Sequence, residues 1–247
     1  MAGPSLYTSM AGLQAIAAQM QAVASNLANS QTPGYEAVQA ETQAQFYQGT
    51  NAPVGADVAI VPLGPDLKPG PLKQTGDPMN VGIGGDAWLQ VQTAGGVALT
   101  RDGSLSISAS GLLTDSAGDP VLNSNGTPIS LPTLSKLQIG TDGTISGVLA
   151  SNPNGKAQIF GQIAMVSTPS GTLTSMGGSL YQAPSGTKFT PATGASLHQG
   201  YLNDSNVDPT TAMMDLINSS RSYQMQADMM KSNSSASQNL NTLLAQG

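Results

Sequence analysis

Past Pro209 the chain runs to Ala245 without another proline or glycine. In a sequence that holds 29 Gly and 16 Pro, such an interval admits one long helix and little else, because both helix breakers are missing from it. Asp208-Pro209 supplies the start: a side-chain acceptor for the N-cap, then the residue best suited to the first helical position. Leu216, Tyr223, Met230, Ser237 and Leu244 recur every seven residues, with Met213, Ser220, Ala227, Ser234 and Asn241 beside them. The stripe is dilute, since Ser and Asn occupy part of it.

The opposite end mirrors this pattern. Leu6, Met10, Leu13, Ala17, Met20, Ala24 and Leu27 alternate steps of four and three, a heptad seam that Ile16 and Val23 widen. Gly3 or Ser5 offers an N-cap. Pro33 biases Thr32 away from helical angles, so the spacing predicts a helix that ends by about Asn29. Pro33-Gly34 then suits the two central positions of a type II turn. The first charged residue of the chain is Glu36. A helix with one apolar stripe and small uncharged flanks is marginal alone, because most helical stability comes from packing. Two arrangements satisfy it: an intramolecular hairpin of both ends, or packing on several sides by neighbouring helices.

Between the ends, residues 36–82 read as extended and irregular, with six prolines from Pro53 to Pro78 that discourage helix and central strand. From Gly84 the pattern turns to β. "AWLQVQT" and "SLSIS" alternate. "RDGSL" and "TDGTI" are Asp-Gly turns flanked by strand formers, which suggests repeated hairpins, and "QIFGQIAMV" is a strand with a bulge at Gly161. The expected class is therefore α+β: discontinuous N- and C-terminal helices forming a coiled-coil-like element, with an inserted all-β antiparallel domain. The expected boundaries are 1–35 and 200–247 for the helical part, 36–82 for the linker and 83–199 for the β-rich part.

Composition narrows the function classes. Only 9% of the 247 residues are charged, against about 25% in an ordinary domain, so the surface lacks the repulsion that keeps proteins apart. The net charge of −6 and the scattered Lys and Arg argue against nucleic acid and anionic membrane as partners. With no cysteine, disulfides, thiolate metal sites and a Cys nucleophile are excluded. No cleaved signal peptide and no transmembrane helix are expected.

Catalytic patterns are weak. His198 is the sole histidine, and no Gly-x-Ser-x-Gly elbow accompanies it. Asp86, Asp102, Asp115, Asp119 and Asp142 sit mostly beside glycine, where Asp serves turn hydrogen bonding rather than metal or acid–base work. "VGIGGD" (81–86) lacks the full glycine pattern of a phosphate loop and precedes a strand. The Met residues suit adaptable helix packing, and Trp88 suits a β-domain core. The expectation is no enzyme, no cofactor and no metal.

Three blocks carry a family resemblance. "LYTSMAGLQAIAAQMQAVASNLANSQTPGYEA" resembles the N-terminal signature of flagellar rod and hook proteins. "NVGIGGDAWLQVQTAGGVALTRDGSLSISASGLLTDSAGDPVL" is similar to the segment that opens the β domain of that family's longer members. "GYLNDSNVDPTTAMMDLINSSRSYQMQADMM" resembles the C-terminal signature, Ser-Asn-Val before a helix with Arg-x-Tyr. The length and Ala87-Trp88-Leu89 are closest to the proximal-rod type, with the distal-rod type as the alternative. Gln224 and Asp204 stand where the family commonly has Glu.

The resemblance implies a structural subunit of the basal-body rod in the periplasm, exported by the flagellar type III apparatus without cleavage. It would assemble as a helical tube with copies of itself and other rod proteins, and transmit torque to the hook. No small-molecule substrate and no membrane insertion are implied. Assembly contacts are expected at Leu6, Met10, Leu13, Met20, Asn26, Leu27, Asn29, Thr32, Pro33, Gly34 and Tyr35. At the other end they are expected at Met213, Leu216, Ile217, Arg221, Tyr223 and Met230. A monomeric secreted β-rich binding module is the competing reading from another class.

Overall fold

The structure is a computed structural model that describes residues 4–46, 56–168, 173–184 and 186–244. Two compact units divide the chain. The helical unit takes residues up to Ala28, Val38–Leu63 and everything from Asp208 on; the sheet unit takes Asn29–Ala37 and Gly64–Val207.

In the helical unit, α1 (Pro4–Ala28) and α2 (Pro209–Leu244) pack together, and β1 (Val38–Phe46) pairs with β2 (Ala56–Pro65). The helix bounds follow the local chemistry. The Asp208 carboxylate accepts from the N–H groups of Thr210 (2.8 Å) and Thr211 (3.4 Å), an N-cap whose bonds hold its pKa below the ordinary carboxylate value. At the end of α1, the Asn26 side chain donates to the Val38 carbonyl (2.9 Å) and accepts from the Val38 N–H (2.8 Å). It thus pairs with a strand as a backbone unit would. The prolines expected to break structure are accommodated: Pro62 lies within β2, one member of a two-stranded pair, where both strands are edges and a missing N–H can face outward.

Among the described residues the buried positions of the helix pair are small. Ala15 on α1 and Ala212 and Ser219 on α2 are buried, and the seven-residue spacing continues to Gln226. The Gln226 amide lies 3.3 Å from where a Cβ on Gly12 would stand. Small residues here let the helices approach closely.

The sheet unit contains β3 (Leu72–Gln74), β4 (Val81–Gly84), β5 (Trp88–Thr93), β6 (Gly96–Thr100), β7 (Ser106–Ile107), β8 (Leu113–Thr114), β9 (Leu134–Ile139), β10 (Thr144–Leu149), β11 (Gln158–Gln162), β12 (Met165–Ser167), β13 (Thr174–Gly177), β14 (Leu180–Gln182), β15 (Thr190–Pro191), β16 (Ser196–Gln199) and β17 (Tyr201–Asn203). The largest sheet runs β13-β14-β6-β5-β12-β15, a second runs β11-β10-β9, and β16-β4, β17-β3 and β7-β8 form pairs. The recorded registers are antiparallel. The chain is therefore α+β.

Strand β5 is buried on both faces at its start, and the alternation there sorts two cores. Leu89 and Val91 join Val81, Ile83, Leu113, Ile145 and Leu197 in one. Trp88 points the other way, into a core with Leu99, Val166, Leu173 and Tyr181. The two Asp-Gly turns differ. "TDGTI" closes the β9–β10 hairpin, with Gly143 at φ 84°. "RDGSL" closes none: it follows β6, whose partners are β5 and β14. A Cβ on Gly103 would stand 1.7 Å from the Val81 carbonyl oxygen, so this glycine serves a close backbone approach. The bulge expected at Gly161 falls one residue earlier: Ile145 faces Gly161 and Ser146 faces Ile159, leaving Phe160 as the extra residue.

Candidate functional site

The residues just beyond α1 are held inside the sheet unit. Thr32 to Tyr35 form the predicted turn: Gly34 has φ 67°, and the Tyr35 N–H donates to the Thr32 carbonyl at 3.2 Å. The Thr32 hydroxyl donates to the Asn29 side chain at 3.2 Å. Gly34, Tyr35 and Glu36 are all buried, an unusual outcome for a turn, and they need partners for their backbone groups.

The stretch that leads to α2 supplies several. The Gly34 N–H donates to the Asn203 carbonyl (2.8 Å), and the Asn206 N–H reaches the Tyr35 carbonyl (3.3 Å). The Asn203 side chain also spans Ile83, accepting from its N–H (2.7 Å) and donating to its carbonyl (3.0 Å). The Asn206 side chain accepts from the Ala37 N–H (2.6 Å) and donates to the carbonyls of Asp66 (3.0 Å) and Lys68 (2.9 Å). The chain after α1 and the chain before α2 are thus laced to each other and to β4.

Arg101 closes this clasp. Its side chain is 1% exposed, so its charge requires close partners. Nε donates to the Ala87 carbonyl (3.1 Å), one terminal nitrogen to Glu36 Oε1 and the Leu67 carbonyl (2.7 Å), and the other to Asp86 Oδ1 (2.9 Å). The guanidinium carbon lies 4.3 Å from the centroid of the Trp88 ring, a cation–π contact. Tyr181 meets Trp88 edge-on at 5.2 Å, and its hydroxyl oxygen accepts from the Glu36 N–H at 2.8 Å. Burial pushes the Glu36 carboxyl up to about 8 against the opposing pull of Arg101, and the negative charges of Asp66 and Asp86 add to the rise. Burial likewise raises the Tyr181 hydroxyl above its ordinary range.

The residues singled out in the sequence fall in both units. On α1, Met10 is exposed while Leu13, Met20 and Leu27 are half-buried; the side chain of Leu6 lies outside the described residues. On α2, Leu216 and Met230 are half-buried, and Met213, Ile217, Arg221 and Tyr223 are exposed. Asn26 anchors β1, and Asn29 to Tyr35 belong to the clasp. Sequence reasoning missed Glu36, Arg101, Tyr181 and the structural use of Asn203 and Asn206. The visible signal was Glu36, the first charged residue of the chain, placed among uncharged neighbours.

Asp102, Asp115 and Asp142 accept from nearby backbone N–H groups two to four residues on, which is turn chemistry. His198 is exposed and lies 3.1 Å from the Ser196 hydroxyl. Among the described residues no cluster of His, Asp or Glu could hold a metal ion, and no helix is long and apolar enough to cross a membrane.

Three family models match: flagella basal body rod protein over residues 6–35, the D1 domain of flagellar hook protein FlgE/F/G over 82–147, and the C-terminal region of flagellar basal body rod FlgEFG protein over 198–243. The flagellar basal-body rod protein FlgF of Escherichia coli K12 is 31% identical over 234 residues, covering 92% of both chains. FlgF of Caulobacter vibrioides is 28% identical over 91% of both. FlgG of Buchnera aphidicola subsp. Acyrthosiphon pisum is 29% identical, covering 97% of this chain and 99% of that protein. The matched blocks include both helices, β4 to β10 and the Tyr35 and Asn203 sides of the clasp. The chain belongs to the family of flagellar basal-body rod proteins, as a structural subunit of the rod in the flagellar basal body.

Proposed function

We propose that the chain is a proximal-rod subunit whose terminal helices pair in a coiled-coil-like element and pack against those of adjacent rod subunits to build a torque-bearing helical tube. The observation that carries assembly is an uncovered apolar stripe on α2. Met214, Ile217, Met225 and Met229 are between 49% and 66% exposed. At about 3.6 residues per turn Met214, Ile217 and Met225 lie on the side of α2 away from Ala212, Ser219 and Gln226, and Met229 flanks Met225 one turn further on. Exposed apolar stripes of this kind mark contact surfaces, and methionine adapts to closely related but unequal neighbours. Head-to-tail contacts that do not close produce an open helical array.

In this reading Met213, Arg221, Tyr223 and Met10 also face neighbouring subunits. Leu6, Leu13, Met20, Leu27, Leu216 and Met230 support the helix pair. Asn26, Asn29, Thr32, Pro33, Gly34 and Tyr35 fix the exit from α1. Partners are copies of this chain, other rod proteins and the flagellar type III export apparatus, which would carry the chain uncleaved to the periplasm.

The double substitution M225D/M229D tests assembly. The purified variant should keep the native Trp88 emission of the sheet unit, while basal bodies from cells producing it should lack the subunit. Normal incorporation would overturn the reading. The long match to a FlgG protein favours a distal-rod position as the second reading. Cross-linking in isolated basal bodies separates the two by whether this chain's neighbours are proximal-rod or distal-rod subunits.

A further inference from the structure

We propose that Glu36 is a proton-operated latch: its buried carboxyl holds a proton while the clasp is closed, and loss of that proton loosens the segment around Tyr35–Ala37 from the sheets. The geometry sets the charge balance. One guanidinium, Arg101, faces Glu36 from the turn after β6. Asp86, from the loop before β5, shares that same guanidinium, and Asp66, following β2, bears on the carboxyl electrostatically. Tyr181 on β14 touches the Glu36 backbone from another side. Asp102 is buried beside Arg101, with its carboxylate taken by the Ser104 N–H and the Ser116 hydroxyl. Two carboxylates thus share one guanidinium, Asp86 from an exposed position and Glu36 from a buried one.

The second oxygen of Glu36 strengthens the point. Oε2 is buried and has no hydrogen-bond partner among the described residues. An ionised carboxylate with one bare oxygen in a dry site is costly. A proton removes the net charge and reduces that cost. Burial as the leading cause of the rise to about 8 agrees with this reading.

Linkage gives the direction. Below the ordinary value of 4.5, folded and unfolded chains both carry the proton. From there to about 8 the unfolded chain ionises while the folded one does not, so stability falls as pH rises and levels off beyond. Above this window the ionised carboxylate competes with Asp86 for Arg101, and the anchor of Tyr35–Ala37 weakens.

Trp88 reports on the change, being the sole tryptophan and lying under Arg101 and beside Tyr181. In the full chain, Trp88 emission followed from pH 6 to about 9.5 should show a one-proton transition centred near 8, ahead of ordinary tyrosine ionisation near pH 10. E36Q should abolish the transition. D66N, which removes a charge that raises the Glu36 value, should shift the midpoint to lower pH and decides the matter if E36Q does not fold. A flat wild-type profile, an unchanged transition in E36Q, or an unmoved midpoint in D66N would overturn the latch.

Discussion

Gly34 and Arg101 meet main chain to main chain: a Cβ on Gly34 would stand 2.3 Å from the Arg101 carbonyl carbon, with Gly34 held at φ +67°. The turn after α1 is therefore a fitted part of the sheet unit. Pro33 presets one half of it, and glycine alone fits the other half, for both conformational and steric reasons.

The first prediction concerns this contact. G34A places a methyl group against backbone, which has no flexible end to move aside. It should destabilise by well over about 1 kcal/mol, the level at which an incompatible glycine position begins to cost. Gly76 is the control, since its φ is +75° but a Cβ there meets nothing within 4 Å. G76A should therefore carry the conformational cost alone. Urea denaturation monitored by Trp88 would compare them, and equal midpoints would contradict a backbone clash at Gly34.

Arg101 and Glu36 are each 1% exposed at the side chain, so removing one leaves the other stranded. R101M should cost on the order of 3–5 kcal/mol, the range for breaking a buried pair. The loss should be larger at pH 9 than at pH 5, because a Glu36 deprived of Arg101 is tolerable only when protonated. Adding E36Q to R101M should recover part of the stability, and a double-mutant cycle in urea measures that recovery. D86A should do far less, since the Asp86 side chain is 75% exposed.

These pairs explain what was legible beforehand. The start of α2, the end of α1, the Pro33-Gly34 turn and strand β5 follow from local rules, so a few neighbouring residues suffice to read them. Arg101 does not. In sequence it opens an Asp-Gly string that resembles a solvent-exposed hairpin, and its partner Glu36 lies 65 positions away. As the sole tryptophan of a strand-rich region, Trp88 reads as a core residue, yet nothing local announced that a cation would cover its ring. On α2 the large residues drew attention to Leu216, Tyr223 and Met230, whereas the most deeply buried positions among the described side chains are Ala212 and Ser219. Small residues give little hydrophobic signal even where they decide how closely two helices approach.

Asn206 offers a test of the lacing between the two chain ends. N206D keeps an acceptor for the Ala37 N–H but loses the two N–H donors to the Asp66 and Lys68 carbonyls. At roughly 0.5–1.5 kcal/mol per hydrogen bond, the expected loss is about 1–3 kcal/mol. The new carboxylate would also face carbonyl oxygens, which favours its protonation, so the loss should shrink at acid pH. Denaturant midpoints at pH 4 and pH 7 measure both effects, and a loss independent of pH would place the Asn206 side chain elsewhere.

The last prediction runs against intuition about close helix contacts. Gly12 lies opposite Gln226, and a methyl group there would come 3.3 Å from the Gln226 amide nitrogen. That neighbour is the free end of a flexible side chain, which can move by the few tenths of an ångström required. Replacing glycine by alanine within a helix gains about 1 kcal/mol in propensity. G12A should therefore stabilise the helical unit and raise the temperature at which far-UV circular dichroism is lost. G12L should do the opposite, because a branched side chain cannot be cleared by a Gln226 shift and must part the helices. If G12A instead lowers that temperature, the Gln226 amide is held rigidly, and the close approach of α1 to α2 depends on glycine itself.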